Sequence, residues 1–122
     1  MNLAPFNNHL PVKIRFGNGI SKSLPSVINE LNAKNILLMV DDGIEKFNPA
    51  AADLINLLKS EKGFSISVFA KPAGEPTIDM VDEATAELAK SGADCVVALG
   101  GGSVIDTAKA ARLCAQLGVN FR

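Results

Sequence analysis

Cys95-Val96-Val97-Ala98-Leu99-Gly100-Gly101-Gly102-Ser103-Val104-Ile105-Asp106-Thr107-Ala108-Lys109-Ala110 is an apolar run, then a glycine triplet, then a segment of helical period. A continuous apolar run of this length suits a strand covered on both faces. Glycines at a turn from strand into helix let backbone N–H groups come close to a ligand, and the helix dipole favours an anion there. The segment is not G-x-G-x-x-G, because Ile105 stands where the third glycine would be. Nor is it a Walker loop, since no Gly-Lys-Ser/Thr follows. One reading is an anion site over the glycines and Ser103. The other is a glycine-rich turn in which Ser103 caps the helix and Asp106 completes a capping-box-like pair. The two are compatible, provided the anion stays clear of the Asp106 carboxylate.

Outward from this segment, short apolar runs alternate with segments of helical period. Strands are expected at 12–16, 36–40, 64–69 and Cys95–Leu99. Ser23 ahead of Pro25 predicts a helix through Leu31, with Leu24, Val27, Ile28 and Leu31 on one face. Asn48-Pro49 is a cap followed by a first-turn proline, and Ala51, Leu54, Ile55 and Leu58 then form a stripe. Thr77 caps a third helix carrying Ile78, Val81, Ala84 and Leu88, which stops at Ser91-Gly92. A fourth runs from about 103 to 117. Strand and helix alternating at this spacing predict an α/β, doubly wound parallel sheet in three layers, with 36–40 and Cys95–Leu99 as its central strands. The last residues, 118–122, read as the approach to another strand, so the domain is expected to be truncated. A sheet edge left open in this way implies self-association into a homo-oligomer.

Asp41-Asp42-Gly43 follows the 36–40 run directly. An acid at the carboxyl end of a strand can accept hydrogen bonds from a ribose diol and repel a 2′-phosphate. In the usual dinucleotide fold that acid follows the glycine loop, whereas here it precedes it. Taken alone, the three residues also make an ordinary turn.

At 122 residues, 48% apolar and 20% charged, the chain has the size and composition of one globular domain. A net charge of −1 without blocks of like charge gives no footprint for nucleic acid or an anionic membrane. Apolar stretches such as 36–40 fall far short of the ~20 residues that cross a bilayer. The first eleven residues do not read as a secretory signal. Cys95 and Cys114 lack metal-ligand spacing and read as reduced core thiols of a cytoplasmic protein. His9 is the single histidine, so no converging metal-ligand set can be assembled, and neither a metal ligand nor a catalytic residue is assigned.

The stretch 100–109 resembles the G-G-G-S-x-x-D-x-A-K motif of the iron-containing (group III) alcohol dehydrogenases. Phe16-Gly17-Asn18-Gly19 resembles the family's early F-G-x-G turn, 36–41 its strand ending in aspartate, and Gly74-Glu75-Pro76-Thr77 its P-N-P-T loop. Glu75 departs from the asparagine that many members have there and that can touch the cofactor in them. The resemblance implies a Rossmann-like fold of the dehydroquinate-synthase type, with 1–122 as an NAD(P)-binding N-terminal domain. It also implies a helical domain outside this chain, holding iron or another divalent metal through one aspartate and three histidines. By the same resemblance, Gly101, Gly102 and Ser103 bind the pyrophosphate of NAD or NADP, Asp41 meets the adenosine ribose, and Asp106 approaches the nicotinamide side. Lys109 matches the motif too, although an ion pair with Asp106 would explain it structurally. The implied activity is oxidation of a small alcohol, or reduction of its aldehyde, by hydride transfer, with this chain inactive alone. Glycerol dehydrogenases and dehydroquinate synthases share the fold, and Ser103, Asp106 and Ala108-Lys109 favour the alcohol dehydrogenase branch over the synthase. A stand-alone nucleotide-binding or interaction module is the reading of a different class.

Overall fold

The computed structural model describes residues 12–118. Its sheet has three parallel strands in the order β2-β1-β3: β1 Asn35–Asp41, β2 Ser65–Lys71 and β3 Cys95–Leu99. Between and around them run the helices α1 Leu24–Glu30, α2 Asp42–Phe47, α3 Pro49–Ser60, α4 Ile78–Ser91 and α5 Gly102–Leu117. A short 3-10 turn, Ile20–Ser23, leads into α1.

The middle strand explains the layers. Side chains alternate faces along a strand, and both faces of β1 are apolar. Ile36, Leu38 and Val40 pack with Ile28 of α1 and Ile55 and Leu58 of α3. On the opposite face Leu37 and Met39 pack with Ala84 and Leu88 of α4 and with Val104, Ala108 and Ala111 of α5. Residues 36–40 are all buried. Each such side chain contributes roughly 1.5–3 kcal/mol of burial. The expected three-layer α/β fold is therefore present.

The helix starts follow local chemistry. The Asn48 Oδ1 accepts from the N–H groups of Ala50 (3.0 Å) and Ala51 (3.3 Å), with Pro49 in the first turn. The Thr77 Oγ1 accepts from the Met80 N–H at 3.1 Å. α4 ends on Gly92, whose φ of 65° is the left-handed cap geometry. The register is set at the strand starts. The Asp94 carboxylate accepts from the backbone N–H groups of Lys34 (3.2 Å) and Asn35 (3.0 Å), while the Asp94 N–H donates to the Asn35 carbonyl at 2.8 Å.

Four expectations need correction. Residues 12–16 form no strand: Phe16 is 98% exposed and Ile14 84%, and no strand among the described residues pairs with them. An Arg15–Glu30 ion pair at 3.0 Å is what ties this segment to α1. Second, β3 lies at the edge of the described sheet and is half-buried. A continuous apolar run reports helices over both faces, which an edge strand has as fully as a central one. Third, β2 continues through Ala70 and Lys71 beyond the expected end at 69. Fourth, Asp42 and Gly43 open the short helix α2 rather than forming a turn.

Among the described residues no strand pairs with the outer side of β3, and an edge of that kind is a template for another strand. The chain should therefore self-associate at high concentration. Light scattering that returns a strictly monomeric mass across the accessible range would contradict this.

Candidate functional site

In a parallel sheet held in register, the carboxyl ends of neighbouring strands arrive side by side. β1 pairs with β2 so that Asp41 is opposite Lys71, and with β3 so that Val40 is opposite Leu99. One step further, Gly100 falls beside Asp41. Lys71, Asp41 and Gly100 thus stand in one row at the strand ends.

Lys71 is completely buried. Its Nζ donates to the carbonyl oxygens of Pro72 (2.8 Å) and Gly74 (2.6 Å) and lies 3.7 Å from Asp41 Oδ1. The third contact is an ion pair rather than a hydrogen bond. Two hydrogen bonds and a nearby opposite charge together offset the cost of keeping a lysine charge out of water. The Asp41 side chain remains 24% exposed, so it is the half of the pair that a ligand can reach.

Gly100 closes the row on the other side. Its φ of +147° is rarely adopted by residues with side chains, and an added Cβ would stand 2.7 Å from Val104 Cγ1 and 2.9 Å from Asp41 Oδ2. Gly101 and Gly102 differ. A Cβ on either meets nothing within 4 Å, and neither has a positive φ. The chain's own packing requires glycine at 100 and leaves open space at 101 and 102.

The N-terminus of α5 begins at this open place. Its N-cap is Gly101, with no side-chain cap hydrogen bond, so the first-turn N–H groups receive no acceptor from the cap. Aligned peptide dipoles put a partial positive charge there, equivalent to about half an elementary charge. This corrects the expected capping box. Ser103 is half-buried at the second helical position, and its carbonyl accepts from the Thr107 hydroxyl at 2.7 Å. Asp106 is exposed and lies beyond the first turn, which contains no acid. The expected ion pair between Lys109 and Asp106 does not form among the described residues. The structure therefore brings Asp41 to the glycine turn and leaves Asp106 further along the helix. Lys71, which the sequence did not single out, joins the group.

Two cavities of about 640 and 650 Å³ lie elsewhere. One borders Arg15, Leu24 and Leu31, the other Lys22, Asp53 and Leu57. Neither is lined by residues of the strand ends. Burial, and then the neighbouring Asp94 carboxylate, push the Cys95 thiol above its ordinary range, which disfavours the nucleophilic thiolate. Among the described residues, no group of three or more His, Cys, Asp or Glu could hold a metal ion. No helix among them is long and apolar enough to cross a membrane.

Parallel strands ending on an acid and a glycine-rich turn into a helix define the doubly wound class of α/β domain, with its cleft at the strand ends. The sequence profile of iron-containing alcohol dehydrogenases matches residues 11–120, and the chain belongs to that family. It is 39% identical over 101 residues to the mitochondrial hydroxyacid-oxoacid transhydrogenase of Bos taurus, covering 82% of this chain and 21% of the bovine protein. Among solved structures it is similar to the NADH-dependent butanol dehydrogenase A of Thermotoga maritima, with a TM-score of 0.79 and 29% identity. That match covers 88% of this chain and 27% of the other. It is also similar to the sulfoacetaldehyde reductase of Bifidobacterium kashiwanohense, solved with NAD+, at a TM-score of 0.74 and 27% identity, covering 88% and 28%. The chain thus spans about a fifth to just over a quarter of the length of these relatives. The family resemblance is borne out.

The unequal demands on the three glycines give a stability test. Gly100→Ala should destabilise the fold by about 1–3 kcal/mol through its backbone strain alone, with the Val104 contact adding to this. Gly102→Ala should change stability by less than about 0.5 kcal/mol, as surface substitutions do. Urea unfolding followed by circular dichroism checks both. Equal losses would contradict the division between them.

Proposed function

We propose that this chain is the dinucleotide-binding part of an NAD(P)-dependent enzyme that oxidises a small alcohol, or reduces the matching aldehyde, by hydride transfer. The observation that carries the proposal is the open surface over Gly101 and Gly102, where glycine is present but the fold does not need it. A pyrophosphate fits that surface. The N–H groups of Gly101, Gly102 and Ser103 would donate to its oxygens, the Ser103 hydroxyl would add a further hydrogen bond, and the dipole of α5 would favour its charge. Asp41 would accept from the ribose diol through its exposed side. Asp106, further along α5, would lie toward the nicotinamide. The bound nicotinamide supplies the hydride acceptor; the residues of this chain hold and orient it.

Iron finds no fitting ligand set among the described residues. We assign the metal, and with it the alcohol site, to the part of the relatives' length that this chain does not cover. Alone, the chain should therefore show no alcohol oxidation with added iron or zinc. NAD reduction that survives purification would overturn that assignment. The free thiols Cys95 and Cys114 fit the reducing cytoplasm.

A second reading comes from the 39% identity to the bovine transhydrogenase: hydride carried between a hydroxyacid and an oxoacid. That reading would require this chain to hold its nucleotide through turnover, so slow nucleotide release would favour it and fast exchange would favour the dehydrogenase.

NAD should bind the chain with a dissociation constant on the order of a millimolar, since a few charge-assisted hydrogen bonds are largely offset by the freedom lost on binding. Gly102→Val should abolish binding and keep the fold. Asp41→Ala should reduce the preference for NAD over NADP by removing the repulsion of the 2′-phosphate. NMR titration checks all three outcomes. Shifts confined to residues away from 100–106 would rule the site out, and an unchanged NAD/NADP ratio in Asp41→Ala would remove Asp41 from it.

A further inference from the structure

We propose that Lys71 is a specificity-determining positioning residue: a buried cation that holds the Asp41 carboxylate and offsets its charge, weakening discrimination against a 2′-phosphorylated nucleotide. The inference rests on the cofactor reading above. Lys71 has no exposed surface, so it cannot touch a ligand at the open cleft and must act through its neighbour. Its ammonium is fixed rather than mobile, because two backbone carbonyls hold it at 2.8 and 2.6 Å. The third contact is Asp41 Oδ1 at 3.7 Å, and the strand register sets residue 41 directly beside residue 71.

The other carboxylate oxygen is confined as well. Asp41 Oδ2 lies 2.9 Å from where a Cβ on residue 100 would be, so the acid sits between a buried cation and a glycine that gives it room. Its remaining exposed face is what a ribose would meet. A neutral diol needs only the lone pairs of that face, which the lysine leaves available. A 2′-phosphate responds to net charge, and the net charge of the Lys71–Asp41 pair is close to zero. Because Lys71 is out of water, solvent and salt screen its charge less than that of a surface lysine. A lone carboxylate at this position would therefore reject the phosphorylated nucleotide more strongly than the paired one does.

The alternative role for Lys71 is purely structural, a tie for the loop 72–77 through the Pro72 and Gly74 carbonyls. Loss of that tie would weaken NAD and NADP binding in parallel and leave their ratio alone. The test is titration of the full 122-residue chain with NAD+ and with NADP+, followed by NMR and repeated for Lys71→Met and Asp41→Asn. Lys71→Met should raise the NAD-over-NADP affinity ratio about three- to tenfold, the scale of one unit charge acting across several ångströms at partial screening. Asp41→Asn leaves the lysine unbalanced, so NADP should become the tighter ligand. This variant keeps Lys71 in place and decides the matter even if Lys71→Met fails to fold. A ratio within twofold of wild type in Lys71→Met, or NAD still preferred in Asp41→Asn, would overturn the role given to Lys71. Failure of the unaltered chain to bind either nucleotide would instead overturn the cofactor reading beneath it.

Discussion

Parallel pairing of β1 with both of its neighbours is the constraint on which the rest of the structure hangs. The pairing is locked at the strand starts, where the Asp94 carboxylate takes two backbone N–H groups at the beginning of β1 and the Ser65 N–H donates to the Lys34 carbonyl at 2.8 Å. Once the first pairs are set, a rigid ladder delivers the last ones. Asp41 must arrive beside Lys71, and the chain leaving β3 must pass Asp41 at Gly100. A slip of one residue would turn Leu37 and Met39 toward the α1–α3 layer and send Asp41 to the wrong face. Core packing and the geometry of the cleft are thus consequences of one register.

The Lys71–Asp41 pair sits uneasily with that core. Burying an ammonium is costly, and a buried ion pair seldom outperforms apolar side chains of the same size, yet removing one partner costs about 3–5 kcal/mol. Here the ammonium's other two contacts are backbone carbonyls of the loop that follows β2, so its burial also fixes that loop at the mouth of the cleft. Placing a charge there makes little sense for stability alone. It makes sense if the strand ends must present a carboxylate in one place with its field reduced.

Much of this was legible in the sequence, and the misses share a cause. The apolar run at 36–40, the Asn48-Pro49 start and the Thr77 cap are local signals, and each produced the expected element. The glycine turn was legible because strand, glycines and helix are contiguous. What failed depended on neighbours distant in sequence. Residues 12–16 have strand-like alternation but nothing to pair with among the described residues. The edge position of β3 is a matter of which strand lies beside which, and an apolar run carries no information about that. The burial of Lys71 was hidden because a lysine at a strand end ordinarily reads as solvated, and only the register puts Asp41 within reach of it. Ser103 looked like a cap because serine usually is one. The chain turns into the helix one residue earlier, where Gly101 brings no side chain to cap with.

That last failure bears on how function is written into the triplet. A serine cap would have satisfied a first-turn N–H from within the chain and filled part of the space in front of α5. Glycine at the cap does neither, leaving the donors of that turn turned toward the open surface at the strand ends. Gly100 is explained by what the chain already contains, since its φ and the nearness of Val104 and Asp41 exclude any side chain. Gly101 and Gly102 have no such internal reason among the described residues. Among the described residues nothing fills the space beside them, which is why the proposed reading places the anionic group of a ligand there and its neutral diol at Asp41.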